Sequence, residues 1–249
     1  MWSSTTKVYK TSTNATFSYK ESMKYLLEKY EDIAWINAGI NGFGLKNDSR
    51  GYGWFLIKYS LSFEKQVDTS YMDIKTWPYF TGAVSCGRCF ELRNSLGVKL
   101  AEASSLWGVV DIKSKRILSP YKVFNINPAA AITDTSKKFV FPKLSEEFRS
   151  NSSLKMVDID VNKHDMIDSN NHVNNTNYVV FLLDPVEESF YITNYIKHID
   201  IHYKKQILYG TKIQSVFEYD STTKVSNHQI RDSINGDIYC VAKIQWDKR

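Results

Sequence analysis

The sequence predicts an α+β protein made of two copies of one domain, each a long helix wrapped by an antiparallel sheet. Three observations carry this: a short internal repeat, a helical apolar period at the head of each copy, and a series of strand-like runs behind each helix.

In the repeat, Ser62-Phe-Glu-Lys-Gln-Val67 resembles His202-Tyr-Lys-Lys-Gln-Ile207, with Gln66 in register with Gln206. Further on, Glu91-Leu-Arg-Asn-Ser-Leu-Gly97 resembles Gln229-Ile-Arg-Asp-Ser-Ile-Asn-Gly236, with Arg93 in register with Arg231, and both copies run on to a tryptophan, Trp107 and Trp246. Collinear matches at a nearly constant offset point to duplication.

In the first copy, Ser22 is a candidate cap for a helix through Met23, Tyr25, Leu26, Leu27, Tyr30, Ile33, Ala34 and Ile36, whose spacing makes one apolar face, with Gly39 at its end. In the second, Asn174 or Asn175 caps Tyr178-Val-Val-Phe-Leu-Leu183, and Pro185 marks an end or kink. Both helices are apolar around most of their circumference, as buried helices are.

Strand-like runs follow: Gly53 to Phe63, Tyr71 to Trp77, Ser85 to Arg93 and Leu100 to Val110, then Lys197 to Ile207, Lys212 to Tyr219, Val225 to Arg231 and Ile238 to Trp246. Turn residues such as Asn94-Ser-Leu-Gly97 separate them. Asn125-Ile-Asn-Pro128 to Ser150 is polar and aperiodic. The expected division is therefore 1–130 for the first domain, 131–150 for a linker and 151–249 for the second domain.

With 43% hydrophobic and 24% charged residues, the 249-residue chain has ample material for a core. No apolar run is long enough to span a bilayer and no signal pattern opens the chain, so a cytoplasmic location is expected and no membrane association. Three cysteines do not make a disulfide framework. A net charge of +5 favours an acidic partner, while the short cluster Lys113-Ser-Lys-Arg116 is too small to indicate nucleic acid. Cys86-Gly-Arg-Cys89 has the spacing of a zinc or redox pair. In a strand its cysteines point to opposite faces and no second pair accompanies them, so no metal or cofactor is expected.

The stretch most suited to chemistry is Asp168-Ser-Asn-Asn-His172-Val-Asn-Asn-Thr-Asn-Tyr178. It resembles the Asp-x-Asn-x-His-Val-Asn-Asn-x-x-Tyr pattern of the acyl-carrier-protein (ACP) thioesterases, and Tyr203-Lys-Lys-Gln-Ile207 lies where that family carries Tyr-Arg-Arg-Glu-Cys. Gly53-Trp-Phe-Leu, Ala103-Ser-Ser-Leu-Trp107 and Lys113 to Leu118 look like the family's amino-terminal domain. The resemblance implies a tandem double hotdog, with an acyl-chain pocket contributed largely by the first domain and catalytic residues in the second. It also implies acyl carrier protein, bearing an acyl-phosphopantetheine arm, as partner.

Thioester hydrolysis needs a water nucleophile, a proton acceptor, and donors facing the oxyanion. His172 can accept a proton near neutral pH, and Asp168 can orient the imidazole or position water. Asn170 can hold water or the carbonyl without titrating. A helix starting at Val173, Asn174 and Asn175 would aim backbone N–H groups at the developing charge. The upstream Asp160-Val-Asn162-Lys-His164 has the same opening pattern but no helix start after it, and is set aside as surface.

Where the family has glutamate this chain has Gln206, which can position but not act as a base, and Ile207 replaces the cysteine, which excludes a cysteine nucleophile. Strand alternation would place Gln206 with Asp200, His202 and Lys204 on a polar face. Trp54, Phe55, Trp77, Phe80 and Trp107 are the candidate pocket residues. The alternatives are hydrolysis of acyl-coenzyme A, non-catalytic acyl binding, and hydroxyacyl dehydration, for which nothing in the sequence speaks. A chain with two fused domains can be a monomer or a homodimer.

Overall fold

The computed structural model describes residues 3–11, 17–44, 51–65, 67, 69–125, 140–148, 154–168 and 171–249. The expected linker 131–150 lies largely outside them. The chain divides into two compact units: Met1–Thr13, Lys29–Leu61 and Val67–Phe141 in the first, Asn14–Glu28, Ser62–Gln66 and Pro142–Arg249 in the second.

The first unit takes β1 (Thr5–Lys10), the carboxyl-terminal part of α1 (Tyr19–Ile40), β2 (Tyr52–Phe63), β3 (Tyr71–Gly82), β4 (Ser85–Arg93), β5 (Lys99–Asp111), the short β6 (Ile117–Leu118) and α2 (Pro120–Val123). The second has β7 (Lys155–Asp160), α3 (Asn175–Leu183), α4 (Glu188–Thr193), β8 (Asn194–Tyr203), β9 (Lys212–Asp220), β10 (Val225–Asp232) and β11 (Ile238–Lys248). Strand order is β1-β3-β4-β5-β2 in the first unit and β7-β9-β10-β11-β8 in the second. Apart from β6, which pairs β5, the two share one topology.

The repeated sequences fall on equivalent structure. The pairing of β4 with β5 slips between Leu92 and Arg93, and that of β10 with β11 slips between Ile230 and Arg231. Each bulge leads into a turn. Asn94 Oδ1 accepts from the N–H groups of Leu96 and Val98, and Asp232 Oδ1 from those of Ile234 and Asn235. Gly97 and Gly236 both sit at φ 76°, a left-handed value that glycine adopts without strain.

Helix α1 starts one turn earlier than expected. Ser18, not Ser22, begins it, because Glu21 reaches back to the Ser18 N–H at 2.9 Å while Ser18 Oγ accepts from the Glu21 N–H, a reciprocal capping box. It also runs past Gly39 to Ile40, where Gly42 at φ 78° reverses the chain and Phe43 N–H donates back to Ala38 O. In the first unit the Tyr30 ring of α1 stacks on Phe90 of β4 at 4.7 Å, with Tyr59 of β2 beside both, and all three are fully buried. In the second, α3 buries Val179, Leu182 and Leu183, against a sheet whose buried residues include Ile199, Ile213 and Ile230.

Two glycines of the first sheet lie under aromatic rings. A Cβ on Gly87 would stand 2.1 Å from Tyr79 Cζ, and one on Gly108 2.4 Å from Phe55 Cε1. Tyr79 cannot easily yield, since its hydroxyl bonds Ser104 Oγ at 2.7 Å inside the core. Gly87→Ala should therefore cost about 2 kcal/mol, the usual scale of core overpacking, read as a lower urea midpoint at unchanged slope.

Candidate functional site

Ile167 and Asp168 face Asn171 to Val173 as the two arms of a hairpin. Ile167 and Val173 pair as an antiparallel bridge, Asp168 N–H donates to His172 O at 2.7 Å, and Asn171 N–H to Asp168 O at 3.1 Å. Asn171 holds φ 62°, which asparagine tolerates better than most residues. The Asp168 carboxylate accepts the main-chain N–H of His172 at 3.0 Å, so its first role is to fix the backbone that carries the imidazole. Asn170 lies outside the described residues.

A second flank is laid against this hairpin by the segment after β8. His172 bridges Leu208, and Val173 N–H donates to Ile207 O at 2.8 Å. Here the expected strand Lys197 to Ile207 is corrected: β8 ends at Tyr203. The Tyr178 hydroxyl stops it, donating to Lys205 O at 3.2 Å and accepting from Ile207 N–H at 3.1 Å, which turns the main chain out of strand geometry. Gln206 is held within this loop and is exposed, so strand alternation does not decide where it points. Burial raises the Tyr178 pKa, keeping the phenol protonated and able to play both parts.

Asn174 is the residue that caps α3. Its Oδ1 accepts from Thr176 N–H and Thr176 Oγ1, each at 2.9 Å. Of the three expected oxyanion donors, two are engaged: Val173 N–H by Ile207 O, and Asn174 N–H by Met166 O at 2.9 Å. No described residue accepts the N–H of Asn175, which opens the helix. Among the described residues the His172 imidazole, half-buried, likewise makes no hydrogen bond. Two groups suited to proton transfer and oxyanion binding are thus left available within a rigid frame.

His164, the histidine set aside, is exposed on a 3-10 turn with its ring stacked on Tyr209 at 5.0 Å. Among the described residues no three metal-ligating side chains cluster. No helix among them is long and apolar enough to cross a membrane.

The first unit contains a cavity open to solvent, lined by residues of α1, β2, β3, β4 and β5 among others. Trp54 and Trp107 line it, as the sequence suggested. Phe55 and Trp77 do not, and nothing is described of the Phe80 side chain. Trp35, Phe43 and Phe124 were missed. Phe124 stacks on Trp54 at 5.4 Å and meets Phe43 edge-on at 5.4 Å, while Trp54 Nε1 donates to Phe43 O, so the wall is aromatic and fixed. Cys86 belongs to the same wall, where burial pushes its thiol up to about 12 and leaves it protonated.

Against curated proteins no significant match is found. Among solved structures, a 12:0-ACP thioesterase from Umbellularia californica superposes with a TM-score of 0.81 at 17% identity, covering 99% of this chain and 94% of that one. An acyl-ACP thioesterase from Bacteroides thetaiotaomicron gives 0.80 at 17% identity, covering 98% of each chain. A putative oleoyl thioesterase from Lactobacillus plantarum gives 0.80 at 16%, covering 99% and 96%. At such identities these likenesses establish the fold, two hotdog-type domains. Residues 4–122 match the acyl-ACP thioesterase N-terminal domain and residues 142–248 the acyl-ACP thioesterase C-terminal domain, so the chain belongs to the acyl-ACP thioesterase family.

Proposed function

We propose that this enzyme hydrolyses the thioester of an acyl group carried on the phosphopantetheine arm of an acyl carrier protein, releasing the free fatty acid. The observation that carries the reading is the His172 hairpin. It is locked on both sides, yet its imidazole makes no hydrogen bond among the described residues and stands in sequence next to the start of α3. His172 takes the proton from the attacking water, and the oxygen of that water bonds to the carbonyl carbon. The Asn175 N–H meets the oxyanion, and collapse of the tetrahedral adduct expels the thiolate, which recovers the proton from His172. Asp168 supplies a negative charge beside the histidine, and Asn170 and Gln206 position water or substrate without titrating.

In this reading the first domain, 1–130, takes the acyl chain, and the second, 151–249, supplies the reactive groups. The net charge of +5 suits an acidic carrier protein.

The test is thiol release from acyl carrier protein loaded with acyl chains of graded length, run beside the same acyl groups on coenzyme A. The intact chain should turn over the carrier-protein form with the larger kcat/KM, and His172→Ala should lower kcat by 100-fold or more, on the order expected for loss of a general base. Preference for the coenzyme form would replace the carrier with acyl-coenzyme A. Tight acyl binding without thiol release would make the chain an acyl-binding module.

A further inference from the structure

Arg88 is an unexpected residue to find beside an acyl pocket. It lies in the middle of β4, borders the cavity, and is only 8% exposed. Its Nη1 donates to Asn37 Oδ1 at 2.8 Å and Thr76 Oγ1 at 3.3 Å, both neutral acceptors on residues that are themselves fully buried. Those acceptors are already committed: Asn37 Nδ2 donates to Ser3 O and Thr5 Oγ1, and Thr76 Oγ1 donates to Cys89 O.

Among the described residues no carboxylate pairs with the guanidinium. Among the described residues Nε and Nη2 meet no acceptor, yet they are not among the buried polar atoms sealed from solvent without a partner. A buried cation normally requires a counter-charge or a full set of acceptors, since desolvation otherwise costs more than burial returns. Burial does pull the Arg88 pKa down, to about 10, which still leaves it charged at neutral pH. A pocket meant only for a hydrocarbon chain gains nothing from such a group on its wall.

We infer that the cavity selects acyl chains bearing a hydrogen-bond-accepting oxygen, which the unused nitrogens of Arg88 receive. The shared chemistry is an oxygen acceptor within an otherwise apolar chain, and a chain hydroxyl or a terminal carboxylate can supply it. Arginine's planar fork suits either. The aromatic wall holds the methylenes, and Asn37 and Thr76 keep the guanidinium in place. The inference rests on the reading of the chain as an acyl-thioester enzyme, and makes its substrate class narrower.

The experiment compares chains of one length that are plain, hydroxylated at successive positions, or closed by a carboxylate. Each is offered as a carrier-protein thioester for thiol release, and as a pantetheine amide, with nitrogen in place of sulfur, for calorimetric binding. The wild-type protein should favour an oxygen-bearing chain at least about tenfold over the plain one in both assays, and Arg88→Met should abolish that preference while near-ultraviolet dichroism shows an intact fold. A wild-type preference for the plain chain, or an oxygen preference that survives in Arg88→Met, overturns the inference. If Arg88→Met does not fold, the wild-type binding series alone decides: tighter binding of oxygen-bearing amides supports the inference, and equal or weaker binding overturns it. If no thioester is cleaved, the hydrolytic reading fails by itself and the amide series still tests Arg88.

Discussion

Asp168→Asn should leave the protein folded and lower kcat for thiol release by about 100-fold, with KM little changed. The asparagine Oδ1 can still accept the His172 main-chain N–H that Asp168 Oδ1 accepts at 3.0 Å, so that bond is kept while the carboxylate's negative charge is lost. Asp168→Ala removes both. It should match the asparagine variant in kcat and add a loss of about 1 kcal/mol of stability, because the hairpin loses the acceptor that ties it together. The pair separates charge from scaffolding. Full turnover by Asp168→Asn would show the carboxylate to be scaffolding alone and leave His172 as the proton acceptor without a charged neighbour.

A second large effect concerns stability against pH. His228 is buried, with Nδ1 at 2.7 Å from Leu182 O and Nε2 at 2.7 Å from Ser226 Oγ, while Trp246 Nε1 donates to the same hydroxyl at 2.7 Å. A carbonyl can only accept, so Nδ1 carries the proton. Nε2 then accepts from Ser226, which in turn accepts from Trp246. Every group in this chain of bonds is satisfied only when the imidazole is neutral. Burial accordingly lowers the His228 pKa from 6.5 to about 4.

Between those values the unfolded chain binds a proton that the folded chain refuses, so stability falls as pH falls through that window. The loss amounts to about 3 kcal/mol once pH reaches the folded value. Urea midpoints followed from neutral pH down to about 4.5 should show this slope, and His228→Asn, whose amide can neither charge nor titrate, should flatten it. An unchanged slope in that variant would assign the acid sensitivity to other groups.

How much of this was visible in the sequence differs from element to element, for physical reasons. The repeat was legible because its second match is built of a bulge and a turn, where Asn94 and Asp232 bond their own backbone and Gly97 and Gly236 take left-handed values. Such positions tolerate few residue types. Strands β1 and β7 were not among the expected runs, because each pairs on one side only and buries little, Tyr9 alone in β1. The early start of α1 was written in Ser18 and Glu21, three residues apart, but Ser22 stands at the more obvious edge of the apolar period.

At the site, the hairpin residues were legible as a motif, yet their division of labour was not. Whether a backbone N–H faces substrate depends on which distant carbonyl reaches it first, and Ile207 O and Met166 O take those of Val173 and Asn174. The cavity wall was half legible: Trp54 and Trp107 could be guessed as large apolar residues, whereas Phe124 and Arg88 could not be placed without the fold. A hint existed in Arg88, a cation in the middle of a strand.

The Tyr178 hydroxyl touches only main chain in the loop it holds, the carbonyl of Lys205 and the amide of Ile207. It therefore grips the path of that loop and is indifferent to the side chains strung along it. The exposed Gln206 is thus a socket into which a different reactive group can be fitted without disturbing the bend, whereas Ile207, fully buried, belongs to the core.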